Sequence, residues 1–358
     1  MSLTEIHIHH LRNLSAVRLT LHPHINVFYG ANGSGKTSLL EAIYLLSTGH
    51  SFRTREISPL VSDGQPSLTV FARSMAEGSI SIQKSISGPT LVKLNNEPCY
   101  SSSELARFLP CQVFYQDIFQ IIDAGPSVRR SLLDWGLFHV KQSYHLLWKD
   151  YRRVLKQRNA LLRQKANQQQ CAPWDTMLVS LANELDSMRT AYFSSWIQSF
   201  QAILPKLTDI PCSVQYYKGW DRKGSGKDLL TILNEQFTLD TQRQYTMYGP
   251  HHADILFEST LLKAKQTLSR GQQKIILIAL KLAQSQLLIK PCTYLFDDMT
   301  AELDIHHLGR LMDYISQIKG QFFLTTIDPD QLQLCADPAG LAVFALERGR
   351  LQNVSRET

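Results

Sequence analysis

The sequence predicts an α/β fold: a mixed sheet with flanking helices around a phosphate-binding loop, and a mainly helical lobe inserted into the chain. Three observations support this prediction. Short β-like runs alternate with turn residues near both ends of the chain. The middle is rich in Arg, Lys, Gln and Leu and poor in Gly, which suits long helices. A glycine-rich loop follows an early strand.

This loop lies between a strand over Ile25–Tyr29 and a helix over Ser38–Leu46. It fits the G-x-x-x-x-G-K-[ST] pattern of a Walker A motif, with the residues Gly30, Ala31, Asn32, Gly33, Ser34, Gly35, Lys36 and Thr37. Glycines let successive backbone N–H groups turn toward phosphate oxygens, and the helix N-terminus adds its positive end. We therefore predict that ATP binds here, with Lys36 on the β- and γ-phosphates and Thr37 on Mg²⁺.

The helical middle contains an apolar seam whose members recur every three or four residues: Trp174, Leu178, Leu181, Leu185, Met188 and Tyr192. A preceding stretch from Leu147 to Leu162 has similar spacing. The polar segment Gln164–Pro173 between them predicts a helical hairpin, whose apolar stripes we interpret as core faces.

A Walker B pattern follows near the C-terminus, where the apolar run Thr293–Phe296 ends in two acids. Such a strand delivers Asp297 to the Mg²⁺ ion, and Asp298 is placed to orient or deprotonate the attacking water. Lys36, Asp297 and Asp298 are thus the predicted catalytic residues.

The segment before Walker B resembles the L-S-G-G-Q signature of ABC ATPases, over Leu268-Ser269-Arg270-Gly271-Gln272-Gln273-Lys274. It opens an apolar helix over Ile275–Leu288, and a Ser-capped helix N-terminus is a second anion site. The resemblance implies a head-to-tail homodimer that depends on ATP, in which Ser269, Gly271 and Gln272 contact the nucleotide of the partner chain. Ala301-Glu302-Leu303-Asp304 resembles the D-loop that crosses such an interface.

Two departures from the ABC pattern predict slow hydrolysis. The acid after the Walker B aspartate is Asp298 where most ABC proteins have Glu, and the strand Phe322–Asp328 lacks the switch histidine. A glutamine that senses the γ-phosphate is also expected, and both Gln112 and Gln116 are candidates.

The fold class is therefore an ABC-type ATPase head with an inserted lobe. We predict an N-terminal part of the ATPase lobe over residues 1–110, a mainly helical inserted lobe over 111–239, and a C-terminal part with signature, Walker B and D-loop over 240–358.

Further stretches resemble the RecF family: Leu11-Arg12-Asn13, Phe52-Arg53-Thr54, Arg129-Arg130, Leu133-Asp134-Trp135-Gly136, Tyr151 to Asn159 and Tyr248 to Asp254. The resemblance implies ATP-dependent binding to gapped or single-strand/double-strand DNA. It also implies action with RecO and RecR in loading the RecA recombinase, a weak DNA-stimulated ATPase, and no nuclease or helicase activity. His252 departs from the family, which more often has Arg there.

A basic helix supplies the candidate DNA contacts Lys149, Arg152, Arg153 and Lys156. Further cations follow at Arg158, Arg163 and Lys165, against the single acid Asp150. This helix could follow a phosphate backbone, or its charges could form a solvated face. Without a recognition-helix motif, we expect backbone or shape readout.

Composition bounds the remaining alternatives. A net charge of +6 is compatible with a polyanionic partner, and six scattered cysteines without a C-x-x-C pair predict reduced thiols. The N-terminus lacks a secretory signal and no apolar run approaches about 18 residues, which predicts a cytoplasmic protein.

Three other classes of ATPase fit the sequence less well. A transporter subunit would keep the switch histidine, an SMC-like clamp would need a far longer arm, and a fused nuclease would need a further acidic cluster.

Overall fold

The computed structural model describes residues 2–75, 78–222, 224–257, 269–301, 303–330 and 340–352. The strands are β1 Leu3–Leu11, β2 Leu14–Thr20, β3 Ile25–Tyr29, β4 Ser67–Ser74, β5 Gly78–Ser85, β6 Leu91–Leu94, β7 Glu97–Pro98, β8 Cys111–Phe114, β9 Val214–Tyr217, β10 Asp254–Phe257, β11 Cys292–Phe296, β12 Gly320–Thr326, β13 Leu341–Glu347 and β14 Arg350–Gln352. The helices are α1 Lys36–Thr48, α2 Ser102–Phe108, α3 Gln120–Asp123, α4 Pro126–Val140, α5 Tyr144–Arg163, α6 Gln168–Leu207, α7 Leu229–Glu235, α8 Phe237–Arg243, α9 Arg270–Ser285 and α10 Ile305–Gln317.

The central sheet has the strand order β14-β13-β3-β12-β11-β8 and is parallel except for β14. Its middle strands are continuous apolar runs because helices or a second sheet cover both faces; all five residues of β11 are buried. The Walker A loop leaves the carboxyl end of β3, and the Asp297–Asp298 pair leaves the carboxyl end of β11. Ligands bind at this edge of open α/β sheets.

A second sheet, in the order β2-β1-β4-β5-β6-β7, is antiparallel throughout. Its strands alternate buried and less buried side chains, as in β4, because only one face is covered. That covered face, α1 and one face of the central sheet enclose the first apolar core. The prediction of an α/β head with a mixed sheet is confirmed.

The helical part covers the other face of the central sheet and forms a second core with α9 and α10. Its main feature is the hairpin of α5 and α6, and α6 spans 40 residues. Asn167 starts α6 with a capping box: its side chain accepts from the Gln170 backbone, and the Gln170 side chain accepts from the Asn167 backbone. The hairpin was predicted, but its connection is only residues 164–167, because α6 begins at this box and continues through Pro173.

Buried arginine residues bind the hairpin to the neighbouring elements. Arg189 of α6 is fully buried and donates to Tyr144 Oη at 3.0 Å, to Asp134 Oδ1 at 2.8 Å and to the Pro250 carbonyl at 2.7 Å. Its guanidinium also lies 4.9 Å from the ring centroid of Trp148. One cation therefore links α4, α5, α6 and the turn before β10.

Arg158 of α5 is equally buried and forms ion pairs with Asp175 and, at 2.7 Å, with Asp240; it also donates to Thr246 Oγ1 at 2.7 Å. A third cation, Arg129 of α4, donates two hydrogen bonds to the carboxylate of Asp254 in β10. We use the name joint network for these cations and their acids: Arg129, Arg158, Arg189, Asp134, Asp175, Asp240 and Asp254.

The predicted boundaries near residues 110 and 239 stay a prediction. Strand β8 belongs to the central sheet, and β9 pairs with β10. Among the described residues, no helix is both long and apolar enough to cross a membrane.

Candidate functional site

The Walker A loop folds around its own backbone in the way that a phosphate ligand requires. Gly30, Gly33 and Gly35 all have positive φ, at 152°, 78° and 113°. A Cβ atom at Gly30 would lie 2.2 Å from the Leu346 carbonyl, so a larger residue would displace the loop. The loop continues directly into α1, whose first N–H groups have no partner within the helix and can donate to an anion.

Lys36 lies inside this loop and is 8% exposed. Its ammonium donates to the carbonyls of Gly30 at 2.6 Å and Ala31 at 3.0 Å. Burial lowers the pKa of Lys36, and the nearby carboxylates of Asp298 and Asp297 oppose that shift. The ammonium is therefore held beside two acids, where it can neutralise phosphate oxygens.

Asp297 and Thr37 meet across the loop. The Thr37 hydroxyl lies 2.9 and 3.1 Å from the two carboxylate oxygens of Asp297, and Thr325 donates to the same carboxylate at 2.9 Å. Burial raises the pKa of Asp297, and the hydrogen bonds from Thr37 and Thr325 lower it in part. Hard oxygen donors of this kind fit Mg²⁺, which prefers few protein ligands beside phosphate and water.

Asp298 has a constrained backbone and an unsatisfied side chain. Its φ is 49°, a left-handed value, and its N–H donates to Thr325 Oγ1 at 2.8 Å. Its Oδ1 atom is buried without a hydrogen-bond partner among the described residues. A buried acceptor without a partner costs stability unless a ligand or water satisfies it. The Oδ1 atom of Asp298 therefore retains the capacity to accept a hydrogen bond from a ligand or a water.

One cavity of about 610 Å³ brings these groups together. Asn32, Gly33, Gly35, Lys36, Thr37, Asp297 and Asp298 all line it. The loop residues Gly30, Ala31 and Ser34 do not line it, although the Gly30 and Ala31 carbonyls hold Lys36 and the Ser34 Oγ is buried without a partner among the described residues.

Two arginines that we did not predict as site residues also line this cavity, Arg12 and Arg53. The fully buried Glu41 of α1 orients them: Arg12 forms a two-point ion pair with it, and Arg53 Nη1 lies 4.0 Å from it. The Ser51 hydroxyl donates to the same carboxylate. A sequence signal existed, since an acid on the buried face of the loop helix needs a cationic partner.

Asn13 was also missed. Its amide donates to the Gly33 carbonyl at 2.8 Å and its carbonyl accepts from Ser38 Oγ at 3.1 Å. It therefore fixes the loop to the first turn of α1 from the β1–β2 turn.

The signature residues lie apart from this cavity. Ser269 caps α9, accepting from the Gln272 N–H at 3.2 Å while the Gln272 side chain accepts from the Ser269 N–H at 2.9 Å. Ser269 is exposed, and Ser269, Gly271 and Gln272 do not line the cavity of their own chain. Lys274, one turn further along α9, does line it.

The two glutamine candidates and the D-loop residues are the remaining predicted positions. Gln112 is buried in β8, outside the cavity, and neither of its side-chain polar atoms has a partner among the described residues. The side chain of Gln116 lies outside the described residues, as do Leu268 and Glu302. In the D-loop, Ala301 lines the cavity, and the Asp304 side chain caps α10 by accepting from the His307 N–H.

The predicted DNA-contact residues form one exposed stripe on α5. Lys149, Arg152, Arg153 and Lys156 are all exposed, and Arg163 continues the stripe two turns further on. Arg153 also pairs with Asp150 at 3.1 Å. The inclusion of Arg158 among these phosphate-facing cations was wrong, because that side chain is buried in the joint network.

Comparison with known proteins agrees with this architecture. The family model for the RecF/RecN/SMC N terminal domain matches residues 2–349. The chain is 40% identical over 335 residues to the DNA replication and repair protein RecF of Acinetobacter baylyi, covering 92% of both chains. It is 36% identical over 365 residues to the RecF of Pseudomonas syringae pv. syringae, covering 98% of both.

Solved structures show the same fold. The recombination mediator protein RecF-ATPrS in the RecFOR pathway superposes with a TM-score of 0.80 at 24% identity, over 98% of this chain and 97% of that one. An SMC head bound to the C-winged helix domain of ScpA gives a TM-score of 0.62 at 18% identity, over 98% and 96%. With the family model and the curated relatives, these matches establish that the chain belongs to the RecF family.

Proposed function

We propose that this chain is a cytoplasmic, ATP-dependent DNA-binding protein of recombinational repair and replication-fork recovery. The observation that carries the proposal is the convergence of Lys36, Thr37 and Asp297 on one cavity, while Ser269 lies exposed outside it. Half of an ATP site is thus present in the chain, and a second chain can supply the other half.

The relatives support the assignment to repair. They are described as DNA replication and repair proteins, and a solved structure contains RecF with ATP in the RecFOR pathway. For this chain we infer binding of ATP with Mg²⁺, action with RecR and RecO on gapped or junction DNA, and an indirect role in loading RecA.

ATP is proposed to close a homodimer. The Ser269-capped N-terminus of α9 is exposed and carries the positive end of a 16-residue helix. Placed against the γ-phosphate held by the partner's Walker A loop, it would add hydrogen bonds that exist only in the dimer. ATP binding then joins two chains, and hydrolysis separates them.

Slow hydrolysis is proposed to time this switch. The unsatisfied Oδ1 atom of Asp298 is the acceptor best placed to orient a water, while Lys36 neutralises phosphate charge. Arg12 and Arg53, oriented by Glu41, add further positive charge on the other wall of the cavity. A side chain one methylene shorter than Glu reaches less far toward the water, which suits a switch rather than fast turnover.

DNA is proposed to run along the exposed stripe of α5. Lys149, Arg152, Arg153, Lys156 and Arg163 recur at spacings of three, one, three and seven residues, which places them on one helix face. At 1.5 Å per residue the stripe is roughly 21 Å long, enough to meet several phosphates of one strand.

Sedimentation velocity of the full chain tests the proposal, with and without ATP and with a gapped duplex. We expect a monomer without nucleotide, a dimer with ATP, and retention of gapped duplex by the dimer. Ser269→Arg should bind ATP but remain monomeric, because a bulky cation blocks the helix N-terminus. Ser194→Arg, at an exposed position on α6, is the matched control.

Two results would contradict the proposal. If Ser269→Arg forms the dimer with ATP as well as Ser194→Arg does, the sandwich arrangement is wrong. If the unmodified chain stays monomeric with ATP and gapped duplex together, the dimer switch is wrong.

A further inference from the structure

A second cavity lies at the opposite end of the central sheet from the nucleotide cavity. Its volume is about 300 Å³, at the lower end of the range for ligand pockets. Pro110, which precedes the amino end of β8, and Leu288 to Lys290, which precede the amino end of β11, form one side. The carboxyl end of α4 forms the other. It is therefore separate from the site already described.

The walls of this cavity are largely apolar yet accessible. Phe138 and Leu288 line it and are half-buried. Ile289, at the rim, is 88% exposed, the second largest exposed fraction among the large hydrophobic side chains of the described residues. An exposed isoleucine beside a concave aromatic surface is typical of a protein contact, where burying it would be favourable.

The rim carries positive charge. Arg107 and Lys290 line the cavity, and none of the described residues that line it is acidic. The Arg107 guanidinium lies 5.3 Å from the ring centroid of Phe138, so the cation and the apolar wall are adjacent. Burial, with the charge of Arg107, lowers the pKa of His139 in the wall to about 4, so this imidazole is neutral at pH 7.

We propose that this cavity binds an acidic peptide segment of a partner protein. One large apolar side chain of the segment enters between Phe138 and Leu288, and a flanking carboxylate pairs with Arg107. A combination of an apolar anchor and flanking charges gives both affinity and selectivity. A nucleic acid strand fits less well, since its phosphates need several cations in a row.

The position of the cavity separates it from the dimer contact at the signature. Helix α9 starts at the signature and ends at Ser285, three residues before Leu288. Its 16 residues span roughly 24 Å, so a peptide at one end does not obstruct a second chain at the other. The cavity can thus hold a partner in either nucleotide state.

Fluorescence anisotropy with the full chain tests this inference. The probe is a labelled nine-residue peptide with a Leu-Phe centre and acidic flanks, measured beside two relatives, one with Gln for each acid and one with Ser-Ser at the centre. We expect the acidic apolar peptide to bind at least tenfold more tightly than either relative. Arg107→Glu and Phe138→Ser should each weaken it at least tenfold, while Lys93→Glu, an exposed charge on β6, should change it less than twofold.

Three outcomes would overturn the proposal: equal binding of the Gln peptide, unchanged binding to Arg107→Glu, or no binding of any of the three peptides at 0.1 mM. Displacement of the peptide by a single-stranded oligonucleotide at lower concentration than by unlabelled peptide would assign the cavity to nucleic acid and overturn it as well. ATP turnover is measured on the same variants. We expect Arg107→Glu to retain it, so a failure here is distinguishable from a failure of the proposed ATP switch.

Discussion

The nucleotide cavity and the joint network both place charged groups out of water, but they satisfy them differently. In the joint network, Arg189 reaches a carboxylate, a hydroxyl, a carbonyl and an aromatic ring within the chain. Arg158 pairs with two acids, although its Nη2 atom has no partner among the described residues. Around the nucleotide cavity, Lys36 donates to two backbone carbonyls, and neither Asp298 Oδ1 nor Ser34 Oγ in the neighbouring loop has a partner among the described residues.

This difference indicates that the joint network stabilises the fold, whereas the groups at the nucleotide cavity can still bind a ligand. Buried charges that the chain itself pairs become expensive to break, because removing one partner leaves the other unpaired. Buried polar groups that the chain leaves without a partner lower the stability of the folded protein, and a bound phosphate or metal restores it. Substitutions in the two regions should therefore affect stability and activity in opposite proportions.

The largest effect on stability is expected at Arg158. Arg158→Ala leaves Asp175 and Asp240 buried without their cation, and burial already raises the pKa of both acids. We expect the free energy of unfolding to fall by about 3–5 kcal/mol. Urea denaturation followed by circular dichroism measures it.

Arg153→Ala is the matched control on the same helix. Its ion pair with Asp150 is exposed on both sides, so we expect a loss below about 1 kcal/mol. Equal losses for Arg158→Ala and Arg153→Ala would show that the joint network does not stabilise the hairpin.

Arg158 also shows where sequence reasoning fails. The buried stripe of α5 runs through Tyr151, Val154, Arg158 and Leu162 at helical spacing, so position alone indicated an inward side chain. Grouping it with the surface cations followed from the general rule that arginine is exposed. That rule fails when two distant acids converge on the residue, and their approach depends on tertiary structure.

Helix α6 teaches the same lesson. The predicted seam included Leu181 and Met188, which are half-buried, whereas Asp175 and Arg189 are buried on the actual stripe. By contrast, the position of the Walker A loop between β3 and α1 could be predicted, because its conformation depends on local glycines and one strand-to-helix turn. Arg12 and Arg53 were missed because the acid that orients them, Glu41, lies far from Arg12 in sequence.

A second, smaller effect on stability is expected from His251 when the pH is lowered. Burial lowers the pKa of His251 to about 3, and its ring lies between the Tyr151 hydroxyl at 2.6 Å and the Thr246 carbonyl at 3.0 Å. The unfolded chain takes up a proton near pH 6.5 and the folded chain does not, so stability falls as pH drops through the range 6.5 to 3.

Between pH 7 and pH 5, protonation of this histidine in the unfolded chain should lower the free energy of unfolding by about 2 kcal/mol. Urea denaturation at both pH values should show that loss in the unmodified chain and a loss smaller by about that amount in His251→Gln. His306→Gln, at an exposed position, should keep the full pH dependence. Identical dependence in all three proteins would contradict a neutral His251 between Tyr151 and Thr246.

Asp298 should show the reverse balance of activity and stability. Asp298→Asn removes the charge of a half-buried carboxylate whose buried Oδ1 has no partner among the described residues, so we expect the free energy of unfolding to stay equal or to rise by about 1 kcal/mol. ATP turnover should fall at least tenfold, because an amide accepts a proton far less well than a carboxylate. Asp313→Asn, at an exposed position on α10, is the control for both measurements. A loss of stability with ATP turnover intact would show that Asp298 stabilises the fold and does not act on the water.

The smallest change in stability is expected on the exposed stripe of α5, where the chain neither pairs most of the charges nor buries them. Lys149→Ala, Arg152→Ala and Lys156→Ala should each change the free energy of unfolding by less than about 0.5 kcal/mol. Each should reduce the slope of log affinity for gapped duplex against log salt by about 1 if that side chain contacts a phosphate. Lys218→Ala, a cation over the ring of Trp220 near β9, should leave the slope unchanged. Because stability and slope are measured on the same variants, a smaller slope with an unchanged free energy of unfolding identifies phosphate contact, and an unchanged slope in all three assigns the stripe to a solvated face.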